Sequence, residues 1–223
     1  MVDKGYIFRF LRDLKKNNSK DWMDENRHQY HTMKERWLFE IELILKRLSK
    51  HDAHYESIDP KKTVSRINNN RRFHPDKPVY KDRLTCSPAG RKAFNVSTFF
   101  LSIGTEESFI GGGIYHPKKE DLENIRAAID YNGDELKKIL NEKGFKSFYG
   151  GLNIYDDKLV TSPQNYSKDH EYINLINNKS FTATINLTEE QVESNGFIDL
   201  VEEAYLKFKP LDDYIVRAIS MGN

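Results

Sequence analysis

Sixteen residues in the middle of the chain, RINNNRRFHPDKPVYK from Arg66 to Lys81, gather side chains suited to holding an anion. Arg66 and Arg72 offer planar forks that match a carboxylate or phosphate, and Lys77 and Lys81 add more mobile positive charges. Asp76 can orient one of these cations or accept a proton, and Tyr80 can form an aromatic wall. These six are the predicted ligand-binding residues. From Lys61 to Lys92 there are ten Lys or Arg and two Asp, a local charge of +8; with a formal net charge of +1, the remainder carries −7. That asymmetry favours a negatively charged group beside the middle segment. The same side chains can instead pair internally and staple an irregular loop to the core, and the residues alone leave both readings open.

Other chemistry-bearing residues form a secondary set. Gly111, Gly112 and Gly113 permit a close backbone approach, but they match neither a phosphate-binding loop ending in Lys-Ser/Thr nor GxGxxG. Among the polar candidates His74, Asp76, His116, Asp169 and His170, a cluster of His116 or His170 with Asp76 would suit hydrolysis, which makes a hydrolytic Asp/His enzyme the runner-up function. No catalytic residue is assigned. His28 and His31 share a helical face with no dense ligand set around them, so no metal is expected, and no cofactor either. Cys86 is a nucleophile only with a base beside it; a quiet, partly buried thiol is the simpler reading.

The expected partner is a small anionic or phosphorylated molecule. Nucleic acid ranks behind it, because Phe73 and Tyr80 serve equally well as loop anchors and the acidic remainder limits nonspecific attraction. A structural or protein-interaction module is a third reading, with no partner protein indicated. Charged residues make up 31% of the 223 and the hydrophobic set 38%, with no apolar run near membrane-spanning length. The opening MVDKGYIFRFL lacks a secretory h-region, and a single cysteine fits a reducing compartment, so a cytoplasmic protein is expected.

The elements that must position these residues follow from periodicity. Tyr6, Phe10 and Leu14 predict a first helix, after which Asn17 or Asn18 can cap a second. Tyr30, Met33, Trp37, Ile41, Ile44 and Leu48 predict a long amphipathic helix from Lys20 to about Ser49, broken near Asn26. Val64 and Ile67 suggest a short strand, and Arg71 to Lys92 an ordered loop anchored by Phe73 and Tyr80. Phe94 to Gly104 and Ser108 to Gly111 read as a hairpin, followed by a helix from Lys119 to Tyr131 and a shorter one to Asn141. Strand pieces are expected around Phe145 to Ile154 and at Leu159 and Val160. A short helix near Glu171 to Asn177, a strand over Phe181 to Leu187 and a helix beginning at Glu189 under a Thr188/Gln191 capping box come next, and Pro210 opens a last helix. The predicted fold is α+β, a small mainly antiparallel sheet packed against several helices in one compact domain over residues 1–223.

Several ordered blocks resemble DUF2461, a bacterial and fungal family of unknown function. NNSKDWMDENRHQY at 17–30, RINNNRRFHPDKPVYK at 66–81, GGGIYHP at 111–117 with LENIR at 122–126, SPQNYSKDHEYINLINNKSF at 162–181 and PLDDYI at 210–215 carry the resemblance. It spans nearly the whole chain and implies no particular activity. Arg66, Arg72, Phe73, Asp76, Lys77, Tyr80 and Lys81 keep the family's central pattern. Asn69, Asn70 and Val79 stand where that pattern has Arg, Asp and Pro; an amide pair there can keep a structural junction but not carboxylate chemistry.

Overall fold

The computed structural model describes residues 3–89 and 98–220. The fold is mixed α+β, with a four-stranded antiparallel sheet packed against multiple helices. The strands are β1 (Arg83–Cys86), β2 (Thr98–Gly104), β3 (Ser108–Ile114) and β4 (Phe181–Leu187), in the order β1-β2-β3-β4. β1 lies antiparallel to β2 with Arg83 opposite Gly104 and Cys86 opposite Leu101. The part of the predicted first hairpin strand before Thr98 lies outside the described residues. The chain gathers into two compact units: Met1–Lys92 with Phe100–Ile110 and Asn186–Glu203, and Ala93–Phe99 with Gly111–Ile185 and Ala204–Asn223.

In the first unit, α1 (Gly5–Lys16) packs on α3 (Arg27–Leu48), with Ile7, Phe8, Leu11 and Leu14 of one and Met33, Trp37, Ile41 and Leu48 of the other all buried. The predicted break falls at Asn26, between α2 (Lys20–Glu25) and α3. Ser19, not Asn17 or Asn18, caps α2 by accepting from the Trp22 amide. Asn17 instead donates from its side chain to the Asp13 carbonyl at the end of α1, 2.9 Å away. A 3-10 turn (Ala53–Ser57) and the short α4 (Pro60–Thr63) lead to the basic segment.

Glu40 is buried within α3, and burial pushes its carboxyl above the ordinary carboxylate range, with Lys4 partly offsetting the effect. A raised folded-state pKa favours the protonated fold. The resulting stabilisation is therefore full below the unfolded glutamate value and is lost as pH rises through the folded one. Glu40→Gln, which cannot ionise, is expected to melt higher than the parent at pH 8, by about 2–4 °C if the penalty is near 1 kcal/mol, and level with it at pH 4. Thermal melts at the two pH values check this.

The second unit is organised around β3 and β4. Alanine-like Cβ atoms at Gly111 and Gly113 would fall on the Ala183 and Phe181 carbonyl oxygens of β4, so the glycines let the two backbones pair at a distance that no side chain permits. Gly112, from the other face of the strand, backs onto the Phe208 ring, 2.8 Å from where its Cβ would stand. The ring of Phe99 meets Tyr205 edge-on with centroids 5.6 Å apart. α5 (Lys119–Asn141) carries its kink at Asn132 (φ −150°, ψ 65°), one residue before the predicted Gly133 break. Gly133 itself faces the Tyr172 ring.

Three expectations in this unit are corrected. Residues Lys143–Tyr149 form a helix, α6, rather than strand pieces. The Glu142 side chain caps it by accepting from the Phe145 amide, and Gly150 closes it in the left-handed region. Leu159 and Val160 belong to no regular element, and Val160 is 98% exposed. Pro210 lies inside one continuous helix, α9 (Phe197–Ser220), instead of opening a new one. The carbonyl it cannot satisfy belongs to Leu206, which is exposed. Of the remaining elements, β4, α7 (Ile173–Ile176) and α8 (Glu189–Glu193) with its Thr188/Gln191 capping box stand where periodicity puts them.

Candidate functional site

The basic segment folds as an arm. Val64 bridges Cys86, and Asn68 bridges Tyr80, both antiparallel. Main-chain bonds run from the Lys81 amide to the Ile67 carbonyl (2.7 Å) and from the Asn69 amide to the Val79 carbonyl (3.0 Å). The predicted strand around Val64 is thus a pair of isolated bridges, and β1 is a strand that the expected long loop did not include. Residues 70–78 form the tip, and all are exposed.

Two uncharged amides hold the arm in shape. Asn69 donates from Nδ2 to the Pro78 carbonyl across the ribbon, at 2.9 Å. Asn18, from the turn between α1 and α2, accepts the Tyr80 amide proton at 2.8 Å and donates to the Tyr80 carbonyl at 2.9 Å. The aromatics therefore divide. Tyr80 is only 7% exposed and is an anchor rather than a wall open to solvent. Phe73, expected as a second anchor, is 71% exposed at the tip, with the Arg72 guanidinium 5.6 Å from its ring centroid.

Among the described residues, no carboxylate lies within ion-pair distance of Arg66, Arg71, Arg72, Lys77, Lys81 or Arg83. Asp82 turns to Lys15 (3.4 Å) and accepts from the Thr105 hydroxyl (3.0 Å), while Asp76 stays exposed on the tip. Arg71 donates to the Pro75 carbonyl at 3.2 Å, and Lys81 to the Arg66 carbonyl at 2.8 Å. Partial burial pulls the Lys81 ammonium below its ordinary value, and repulsion by Arg83, Arg66 and Lys77 pulls it further. The arm is thus a field of like charge. The internal ion-pair network that would staple it to a core does not form among the described residues. Arg71 and Arg83, absent from the predicted set, belong to this field; their signal was the same run of positive charge.

The secondary candidates lie in the other compact unit and are taken up locally. At the positions where side chains would stand, Gly111, Gly112 and Gly113 face neighbouring backbone and the Phe208 ring. His116, at a φ of 45°, approaches Asp157 at 3.4 Å, and its amide donates to the Ser180 hydroxyl at 3.0 Å. His170 places Nε2 2.8 Å from Asp130, and its Nδ1 accepts from the Tyr172 amide at 3.0 Å. Both ring nitrogens of His170 are thereby engaged, which leaves neither free to serve as a base. The aspartates beside the two histidines are Asp157 and Asp130.

Cys86 is buried, its thiol pushed up to about 12 by burial, with Thr63 Oγ1 3.4 Å from the sulfur; such a group is inert as a nucleophile. Among the described residues no group of three or more His, Cys, Asp or Glu is placed to hold a metal ion, and His28 and His31 are exposed. A cleft of about 270 Å³ in the second unit, lined by Ala127, Ala128, Tyr131, Asn132, Tyr214 and Arg217 among others, contains none of the predicted residues. No helix among the described residues is long and apolar enough to cross a membrane.

Fold and site together define a mixed α+β protein that displays a basic, uncompensated arm. The chain belongs to the family described as conserved hypothetical protein (DUF2461), whose model matches residues 6–214. No curated protein and no solved structure matches it.

Proposed function

We propose that this protein is an anion-binding module whose ligand carries phosphate or another multiply charged anionic group, held by the arm at residues 66–83. One observation supports the reading above the others: six Lys and Arg side chains on one ribbon lack carboxylate partners among the described residues, and Arg66, Arg71, Arg72, Lys77 and Arg83 are exposed. Like charges gathered without compensation cost free energy in the unliganded protein, and an arriving anion relieves that cost. Arg66 and Arg72 supply planar forks and Lys77 adds a point charge, whereas Asp76, out of ion-pair reach of them all, orients none of these cations. Lys81 contributes through its remaining protons while it fastens the arm, and buried Tyr80 sets the arm's position without touching the ligand. The lone buried thiol suits a reducing, cytoplasmic setting.

Calorimetric titration with inorganic tripolyphosphate at low salt tests this reading. Arg66→Ala and Arg72→Ala are each expected to weaken binding about 3- to 10-fold, the loss of one exposed charge-assisted contact. Folded variants that bind as tightly as the parent would remove the arm from consideration.

A further inference from the structure

We propose that the arm's ligand is single-stranded nucleic acid, with Phe73 as a base-stacking platform and the surrounding Arg and Lys side chains on the backbone phosphates. This deepens the anion-binding reading and rests on it. A small anion is best held by a concave site where cations converge. Here they are strung along a ribbon, Arg71, Arg72 and Lys77 at the exposed tip and Arg66, Lys81 and Arg83 toward the base, which fits a ligand whose charges are also strung in a line.

The exposed ring narrows the class further. A phenylalanine 71% exposed between Arg72 and His74 has no core to fill, and no anion alone gives it a partner. The Arg72 guanidinium covers one side of the ring at 5.6 Å, so the exposed remainder offers a face to a flat, uncharged π-system. A nucleotide combines such a face with a phosphate at adjacent reach. In a single strand the base is free to leave its neighbours and stack on the side chain. In a duplex the base faces are hidden, and reaching one costs the unstacking of a base step, a cost that a single strand largely avoids. Asp76 is the one carboxylate of the tip, and its repulsion of a phosphate is outnumbered by Arg71, Arg72 and Lys77 beside it.

Fluorescence anisotropy of the full chain with a labelled twelve-nucleotide oligouridylate, the matching oligothymidylate, a duplex of equal length and a phosphoserine peptide provides the test. Binding of a single strand ahead of the duplex and the peptide is expected. Three or four phosphate contacts give a salt slope of about −2 to −3 for a single strand, or about 20- to 50-fold weaker binding at 200 mM than at 50 mM salt. Phe73→Ala is expected to weaken the oligonucleotide about 5- to 150-fold, the range for one lost stack, with an unchanged melting temperature; Phe73→Trp is expected to retain binding. Equal affinity in Phe73→Ala, or a duplex or phosphopeptide bound more tightly than the single strand, overturns the inference. Oligonucleotide binding that fails while tripolyphosphate still binds overturns this inference alone; failure of both takes the anion reading with it.

Discussion

Gly113→Ala is expected to prevent the second unit from folding, or to lower its stability by on the order of 4 kcal/mol or more. Two costs add. The φ of +118° is one that an L-residue adopts only under strain, and the new Cβ would fall on the Phe181 carbonyl oxygen and 2.7 Å from Thr182 Cα. Because the obstacle is the backbone of β4, no rotamer change relieves it, and separating β3 from β4 would break their pairing. Gly150→Ala is the matched control: its φ of +76° is also left-handed, but its Cβ would meet nothing within 4 Å. That variant is expected to lose only about 1–2 kcal/mol. Urea unfolding of both decides the matter, and similar losses would mean that conformational strain, not close packing of strands, explains the glycine run.

Asn18→Ala is expected to loosen the arm while leaving α1 and α3 in place. The substitution strands both the amide and the carbonyl of Tyr80, a half-buried pair now bonded only to that side chain's Oδ1 and Nδ2 on this edge. Each orphaned group costs about 1–2 kcal/mol at this degree of burial, for a combined local loss of about 2–4 kcal/mol. Amide exchange at Tyr80 should then accelerate by about 30- to 1000-fold if local opening carries it. Asn18→Asp keeps the acceptor for the Tyr80 amide and is expected to retain much of that protection. Exchange rates at Tyr80 unmoved by Asn18→Ala would show that the ribbon's own bonds suffice to hold it.

What the sequence made legible was whatever is decided within a few residues. The stripe from Met33 to Leu48, the alternation in Phe181–Leu187 and the Thr188/Gln191 capping box carry their own geometry, and the structure has them at those positions. β1 was hidden because RLTC is four residues long and gains its strand identity from pairing with β2. α6 was misread because Phe145, Phe148 and Tyr149 favour strands, and only the caps at Glu142 and Gly150 turn the balance. In the arm, charge was visible but direction was not. Phe73 and Tyr80 each have one basic neighbour, Arg72 and Lys81, and a proline two positions away, yet one points to solvent and the other inward. The choice is made by Asn18, 62 positions away in the chain. No spacing rule reaches that far.

Beside the Lys81 bond to the Arg66 carbonyl, the arm is closed by main chain and by two amide side chains: Asn69 to Pro78, and Asn18 to both sides of Tyr80. Neither amide has a proton to gain or lose across the range in which proteins survive, and neither is weakened by screening as an Arg–Asp closure at the same place would be. Those amide closures are thereby uncoupled from acidity and ionic strength, whereas the attraction proposed between the arm's cations and an anion is not. Under the proposed reading, salt releases the ligand while those closures stay made.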